Sequence, residues 1–456
     1  MILRSLIVLT AGALLALDGF CQADPEASDL ESKSRQVGAL FDSIAGVDAP
    51  GAAVLVARNG TVLHVKGYGF ANIEHHVPIT PQTKFRLASV TKSFTAAAVL
   101  RLQEAGELNI DDPVAKYLPD TPNGGRITLR HLLTHTSGIR NSEKDPLEFG
   151  PGERLNYSNA GYHLLGRIIE KVTGMPYEDY LRTSIFEPLK MHDSGLDHYA
   201  PIIANRAAGY DRGASGGYLN ALPGDMADVY AGGGLYSTVE DLHRFDQAFI
   251  TGKLLKTETV AAAFTPVRLN DGMEGSYGFG WIITKYGGLR EISHGGDGTG
   301  CNTWNAYYPD QGISVIVLSN VGMRPAGPFP NAVDLAHKIA DIYLGDQMRP
   351  ENRLVEIMVA LPVLQRYTGV YRIEGRKEVL DVMGDTITFG VEDGRLVVFS
   401  PKMPKAVLCA ESETSFFVQQ ENGNKVAFTR DAQGLVIGVV IHLMGVVELR
   451  GERVDK

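Results

Sequence analysis

Ala52-Ala53-Val54-Leu55-Val56-Ala57 and Thr61-Val62-Leu63-His64-Val65 are two short apolar runs separated by Arg58-Asn59-Gly60. Asparagine and glycine reach the left-handed backbone conformations that a two-residue hairpin loop requires, so this stretch predicts a β-hairpin early in the chain. Toward the C-terminus the pattern turns helical from Ser89 to Ala105: Val90, Phe94, Ala98 and Leu102 recur every four residues, and Gly106 supplies the stop. A second helix is expected from Ala160 to Val172, ended by Thr173-Gly174. Strand character returns at Gly278 to Thr284, Asn302 to Tyr308 and Ile313 to Ser319. Strands therefore flank a helical middle, which predicts an α+β domain whose N-terminal hairpin and later strands share one antiparallel sheet with the helices packed on it.

The 456 residues leave room for more than this domain. Gly345 to Arg353, with Pro350 and Asn352, reads as a linker. From Tyr367 onward alternation dominates, with turns at Asp393-Gly394 and Asn422-Gly423. We expect the α+β domain over 24–345, a linker over 346–366 and a small β-barrel or sandwich over 367–456. Residues 1–23 read as an export signal, because Arg4 precedes the apolar run Leu6 to Leu17 and a small Ala23 follows. That run is too short to span a bilayer comfortably. The expectation is a chain starting near Asp24, without a transmembrane anchor, in the periplasm or outside the cell. Asp18-Gly19-Phe20 before Cys21 is a poor lipidation signal.

Lys and Arg total 43 against 53 Asp and Glu, a net charge of −10, and no basic run is present. A nucleic-acid partner is therefore not expected, since a phosphate grip needs clustered cations. Cys301 and Cys409 fall in different expected domains and make no zinc site.

Three short elements carry chemistry. Ser89-Val90-Thr91-Lys92 puts a hydroxyl and an amine on one helix face, where the amine can take the proton that makes serine nucleophilic. The helix N-terminus adds N–H groups able to hold an oxyanion. Tyr157-Ser158-Asn159 offers a phenol for proton transfer toward a leaving group and an amide that can bond both substrate and Lys92. His294-Gly295-Gly296 precedes the strand at Asn302, and its glycines would let a substrate backbone lie against the chain. Competing signals are weaker. Tyr218-Leu219-Asn220 repeats the second element in a glycine-rich stretch with nothing to hold it rigid. Gly213-Ala214-Ser215-Gly216-Gly217 matches a nucleophile elbow but lacks the strand before and the helix after. His131 and His135 stand four residues apart without the glutamate or third ligand of a zinc site, and structural roles are expected for both.

Taken together the three elements resemble the serine β-lactamase and penicillin-binding-protein-like hydrolases, especially the class C β-lactamase, D-aminopeptidase and esterase branch. The resemblance runs from about Val54 to Asn320 and includes Leu108-Asn109-Ile110-Asp111-Asp112-Pro113-Val114, Ile127 to Gly138 with its His135-Thr136-Ser137-Gly138 end, Pro151-Gly152, Gly232-Gly233-Gly234-Leu235-Tyr236-Ser237-Thr238 and Tyr277-Gly278-Phe279-Gly280-Trp281. It implies a serine acyl-enzyme mechanism with no metal and no cofactor. Ser89 would be the nucleophile, Lys92 and Tyr157 the proton-transfer pair, Asn159, His294, Gly295 and Gly296 substrate contacts, and the amides of Ser89 and Asp297 the oxyanion hole. One departure stands out: β-lactamases usually carry Lys-Thr/Ser-Gly where this chain has His294-Gly295-Gly296. The expected substrates are small esters, D-amino-acid amides or short peptides. A class C-like β-lactamase and a catalytically silent sensor or scaffold are the alternatives.

Overall fold

A computed structural model describes residues 25–454, apart from 43–48, 141, 214–215, 223, 225, 323–329, 350–355, 375–379, 381–382, 419–423, 432 and 444–446. The expected signal segment, Ser215 of the elbow-like motif and the Asn422-Gly423 turn lie outside the described residues.

Strands β1 (Ala52–Arg58) and β2 (Thr61–Tyr68) form the expected hairpin, with Asn59 at φ 48° and Gly60 at φ 84°. Both loop residues are left-handed, the condition for a turn whose twist matches its strands. The later strands are β3 (Ile282–Tyr286), β4 (Leu289–Gly298), β5 (Cys301–Tyr308) and β6 (Ile313–Ser319). They join the hairpin in one antiparallel sheet ordered β3-β4-β5-β6-β1-β2, in which Ala52 to Arg58 of β1 pairs with Ser319 to Ile313 of β6.

The unbroken apolar run of β1 has a simple cause: both faces of the sheet are covered. Ala53, Leu55 and Ala57 pack into the core shared with the helical region, while Ala52, Val54 and Val56 pack against α1 (Pro25–Asp42) and α6 (Ala332–Leu344). The helical region contributes α2 (Thr91–Glu104), α3 (Leu129–Leu133), α4 (Asn159–Thr173) and α5 (Val239–Ile250). Helix α4 starts at an N-cap whose Ser158 side chain accepts the Gly161 N–H, and it stops at Gly174 in the left-handed conformation.

One local expectation needs correction. The strand expected from Gly278 begins at Ile282, because Gly280 at φ 80° makes a turn ahead of it. The segment His294-Gly295-Gly296 does precede the strand at Asn302, as expected, and itself lies within a strand, β4, paired with Asn305, Trp304 and Thr303 of β5. Glycine has low strand propensity, yet the ladder to β5 supplies the bonds that the local sequence does not advertise.

Beyond α6, eight strands close into a barrel: β7 (Gly369–Glu374), β8 (Thr386–Glu392), β9 (Arg395–Ser400), β10 (Met403–Ala410), β11 (Ser415–Val418), β12 (Lys425–Arg430), β13 (Val436–Leu443) and β14 (Val447–Arg453). Pairing of β7 with β14, Tyr371 opposite Arg453, closes the ring and removes its sheet edges. Its interior is aromatic, with Tyr367 stacked on Phe428 at 4.3 Å between ring centroids. Within the segment read as linker, Leu364 is buried in the barrel core and the Ile357 N–H bonds the Ala410 carbonyl, so this part packs with the barrel.

Candidate active site

The nucleophile candidate sits on a tight turn. Ala88, Ser89 and Val90 form one 3-10 turn that leads into α2, so the helix proper begins after Ser89. Ala88 has φ 45°, a left-handed value that costs an alanine roughly 1–2 kcal/mol. Such strain persists only where the surroundings fix it. Here the Leu87 N–H bonds the Leu235 carbonyl at 2.8 Å, and the Leu87 carbonyl accepts the Thr303 hydroxyl at 2.9 Å. Ala88 and Val90 are buried, and Ser89 between them is half-exposed.

Lys92 is 0% exposed, and the partners of its Nζ include Ser89 Oγ at 3.2 Å, Asn159 Oδ1 at 2.8 Å and the Gly232 carbonyl at 2.6 Å. Two of these are carbonyl oxygens that can only accept. They claim two N–H bonds and thereby turn the remaining position on the nitrogen toward the serine hydroxyl. The Tyr157 ring lies 4.6 Å from the same nitrogen. Ser89, Lys92, Tyr157 and Asn159, which come from the 3-10 turn, from α2, from the loop before α4 and from the start of α4, thus converge on one point. The Gly232 carbonyl belongs to the Gly232-Gly233-Gly234 run, to which the sequence reading gave no role. Gly166 in α4 makes room for the short helix Tyr230–Gly233 that carries this carbonyl, since a Cβ there would come within 2.4 Å of the Tyr230 ring.

Strand β4 forms the opposite wall. A Cβ on Gly296 would lie 2.1 Å from the Leu87 carbonyl and 3.1 Å from Ala88 Cβ, so only glycine lets the turn that carries Ser89 lie this close to the strand. Pairing with β3 runs only to Ser293, so His294 to Gly298 continues beyond it along the Ala88 turn, with Asp297 exposed.

His294, expected as a substrate contact, has other partners. Its Nδ1 bonds the Gly295 carbonyl at 2.7 Å and its Nε2 lies 2.8 Å from the Tyr277 hydroxyl. The carbonyl can only accept, so Nδ1 carries the hydrogen and Nε2 accepts from the phenol. Burial, and then the Lys92 charge, pushes its pKa down to about 3. The ring is 1% exposed and neutral, and both nitrogens are engaged by protein, so it shapes the wall from within. Gly295 packs under Trp304, 2.7 Å from where a Cβ would stand. Tyr277 is fully buried, and burial raises its phenol pKa well above the ordinary value.

Of the remaining sequence candidates, His135 packs on Tyr157 of this cluster. Helix α3 ends at Leu133 and His135 stands at φ 59°, so the spacing of His131 and His135 is not helical. His131 Nδ1 accepts the Thr128 N–H, and His135 Nδ1 accepts the Ser158 N–H. Tyr218-Leu219-Asn220 is held after all, as a short strand paired with Tyr210–Arg212, and Asn220 bonds Glu74. The elbow-like motif accordingly has a strand before it, but a strand rather than a helix follows. Cys301 and Cys409 are both free and buried. Among the described residues no three His, Cys, Asp or Glu side chains gather as a metal site.

A strained serine turn with a buried lysine one helical turn on, set between a helical region and an antiparallel sheet, defines the serine hydrolases of β-lactamase and penicillin-binding type. The chain belongs to the beta-lactamase family, whose model matches residues 39–337. It is 32% identical over 435 residues to a penicillin-binding protein of Bacillus subtilis (strain 168), covering 85% of this chain and 92% of that one. Against the D-aminopeptidase of Gluconobacter oxydans (strain 621H) identity is 28% over 294 residues, covering 59% of this chain and 56% of the relative. The octameric penicillin-binding protein homologue from Pyrococcus abyssi superposes with a TM-score of 0.60 at 25% identity, covering 94% of this chain and 100% of that one.

Proposed function

We propose that this chain hydrolyses ester or amide bonds of small molecules or short peptides through an acyl-enzyme on Ser89. The observation that carries the reading is the arrangement around Lys92 Nζ, whose carbonyl partners Asn159 Oδ1 and Gly232 O leave the nitrogen directed at Ser89 Oγ. With Lys92 as the neutral amine, its lone pair accepts the serine proton while Oγ forms a bond to the substrate carbonyl carbon. The carbonyl oxygen, now negative, is received by the backbone amides of Ser89 and Asp297. Collapse of the tetrahedral adduct breaks the bond to the leaving alcohol or amine, which takes its proton from Lys92 by way of the Tyr157 hydroxyl. Water then attacks the acyl-enzyme by the reverse relay, releasing the acid and restoring Ser89.

Neutral esters and amine-bearing amides suit the site better than β-lactams. Where β-lactamases usually carry a lysine, this chain has a neutral buried His294, and the exposed residue on that edge is Asp297. Losing a charged hydrogen bond to a substrate carboxylate costs about 1.5–3 kcal/mol, roughly ten- to a hundredfold in affinity. The name of the Gluconobacter relative, a D-aminopeptidase, supports the same substrate class.

The test is covalent labelling by a fluorophosphonate together with kcat/KM on a panel of esters, D-amino-acid amides and β-lactams. Wild type should label, and Ser89→Ala should neither label nor turn over any substrate. Labelling that persists in Ser89→Ala rejects the mechanism. Turnover of a cephalosporin faster than the best ester or amide rejects the substrate class and favours a β-lactamase, while a protein that neither labels nor turns over any substrate is a silent member of the fold.

A further inference from the structure

We infer that His135 is a positioning residue that holds Tyr157 in the geometry needed for proton transfer; this rests on the reading of Tyr157 given above. The histidine lies just beyond α3, at φ 59°, and is 1% exposed. A side chain other than glycine in this region is uncommon and is kept where its contacts fix it. Two of those contacts bracket Tyr157. The His135 carbonyl accepts the Asn156 N–H at 2.8 Å, and its Nδ1 accepts the Ser158 N–H at 3.0 Å. The backbone is therefore tied on both sides of the tyrosine. The imidazole also packs on the Tyr157 ring at 4.1 Å between centroids, backed by Tyr277 at 4.6 Å and Tyr162 at 5.0 Å.

Each link has a physical consequence. Ser158 is buried and caps α4, so its N–H has no partner inside the helix. Without Nδ1 that donor would be stranded, and the chain would have to shift to reach another acceptor. Because Nδ1 accepts, the ring is neutral and adds no charge beside Lys92. The tyrosine ring thus has the His135 ring 4.1 Å and Lys92 Nζ 4.6 Å from its centroid. A displacement of about 1 Å in a proton-transfer group lowers a rate by up to about a hundredfold without weakening substrate binding.

The test compares His135→Asn, which keeps an acceptor near the Nδ1 position and tolerates a left-handed backbone, with His135→Leu, of similar size but with no acceptor. Pre-steady-state acylation by an activated ester, KM and Tm are measured for both, alone and combined with Tyr157→Phe. Acylation should fall in the order wild type, asparagine, leucine, by about three- to tenfold and by at least about thirtyfold, with KM within about threefold. In the Tyr157→Phe background either change should add less than about twofold. Equal losses in the two variants, wild-type rates in either, or the same loss with and without Tyr157 would overturn the inference. If leucine does not fold, the asparagine rate and its dependence on Tyr157 decide alone. A Tyr157→Phe enzyme that acylates normally removes the reading of Tyr157 itself, whereas a slow Tyr157→Phe beside a normal His135→Leu removes only the role of His135.

Discussion

At Gly296 a single methyl group would collide with the Leu87 carbonyl, at 2.1 Å, and with the Thr303 hydroxyl, at 2.3 Å. Gly296→Ala must therefore push β4 and the nucleophile turn apart. We expect a loss of about 1–3 kcal/mol in stability, read as a lower urea midpoint, together with slower acylation. The proton-transfer pair gives a second prediction at this scale. Lys92→Ala and Tyr157→Phe should each lower the acylation rate at least about a hundredfold, as a missing acid–base group does. Combined, they should lose little more than either alone, because they serve one step. Additive losses in stopped-flow acylation would show two independent contributions and contradict a shared relay.

At the scale of elements, α5 and β5 meet through a buried acid. Asp246 of α5 accepts the Asn305 amide of β5 at 2.9 Å with one oxygen, while the other has no hydrogen-bond partner among the described residues. Burial raises its pKa to about 8, opposed by the Asn305 bond. Between about pH 4 and 8 the folded chain keeps a proton that the unfolded chain has released, so stability falls as pH rises through that window and levels off above it. Asp246→Asn removes the titration. Its Tm should exceed that of wild type at pH 8, with a gap that closes toward pH 4, and the free-energy gain at pH 8 should reach at most about 5 kcal/mol. A constant gap across thermal melts from pH 4 to 8 would show that Asp246 does not carry this pH dependence. The same packing explains why β5 reads so clearly in sequence while β4 does not: Cys301–Tyr308 is largely apolar, whereas glycine-rich β4 owes its extended form to β5.

Over the whole molecule, the barrel touches the loop that carries Tyr157. Arg154, three residues before the tyrosine, pairs with Glu448 of β14 at 3.3 Å, and its guanidinium lies 4.7 Å from the centre of the Phe149 ring. Both charged side chains are partly exposed, so their pairing is worth about 0.2–1 kcal/mol. Glu448→Gln should lower kcat/KM by no more than about fivefold. The deficit should shrink at high salt, where wild type loses the same attraction. Exchanging the charges with Arg154→Glu and Glu448→Arg should recover activity. An unchanged kcat/KM for Glu448→Gln at low salt would show that the barrel does not act on the site through this contact.

Much of this protein was legible in its sequence where the deciding interactions are local. The Asn59-Gly60 turn, the four-residue repeat of α2, the Gly174 stop of α4 and the Ser89-to-Lys92 spacing each depend on residues within a turn or two of one another. Local sequence also placed β1 and β6 as strands of one antiparallel sheet, while the fold decided that they are neighbours in it. Tertiary structure decided what the local signals left open. It made the alternating C-terminal region a barrel rather than a sandwich, because the pairing of β7 with β14 joins the two ends of the domain. It turned His294 from an expected substrate contact into a neutral wall residue through a bond to Tyr277. It also chose the third acceptor around Lys92, the Gly232 carbonyl, 140 residues away. Every residue carries a carbonyl, so no residue type marks the one that will complete a site; only the folded path of the chain selects it.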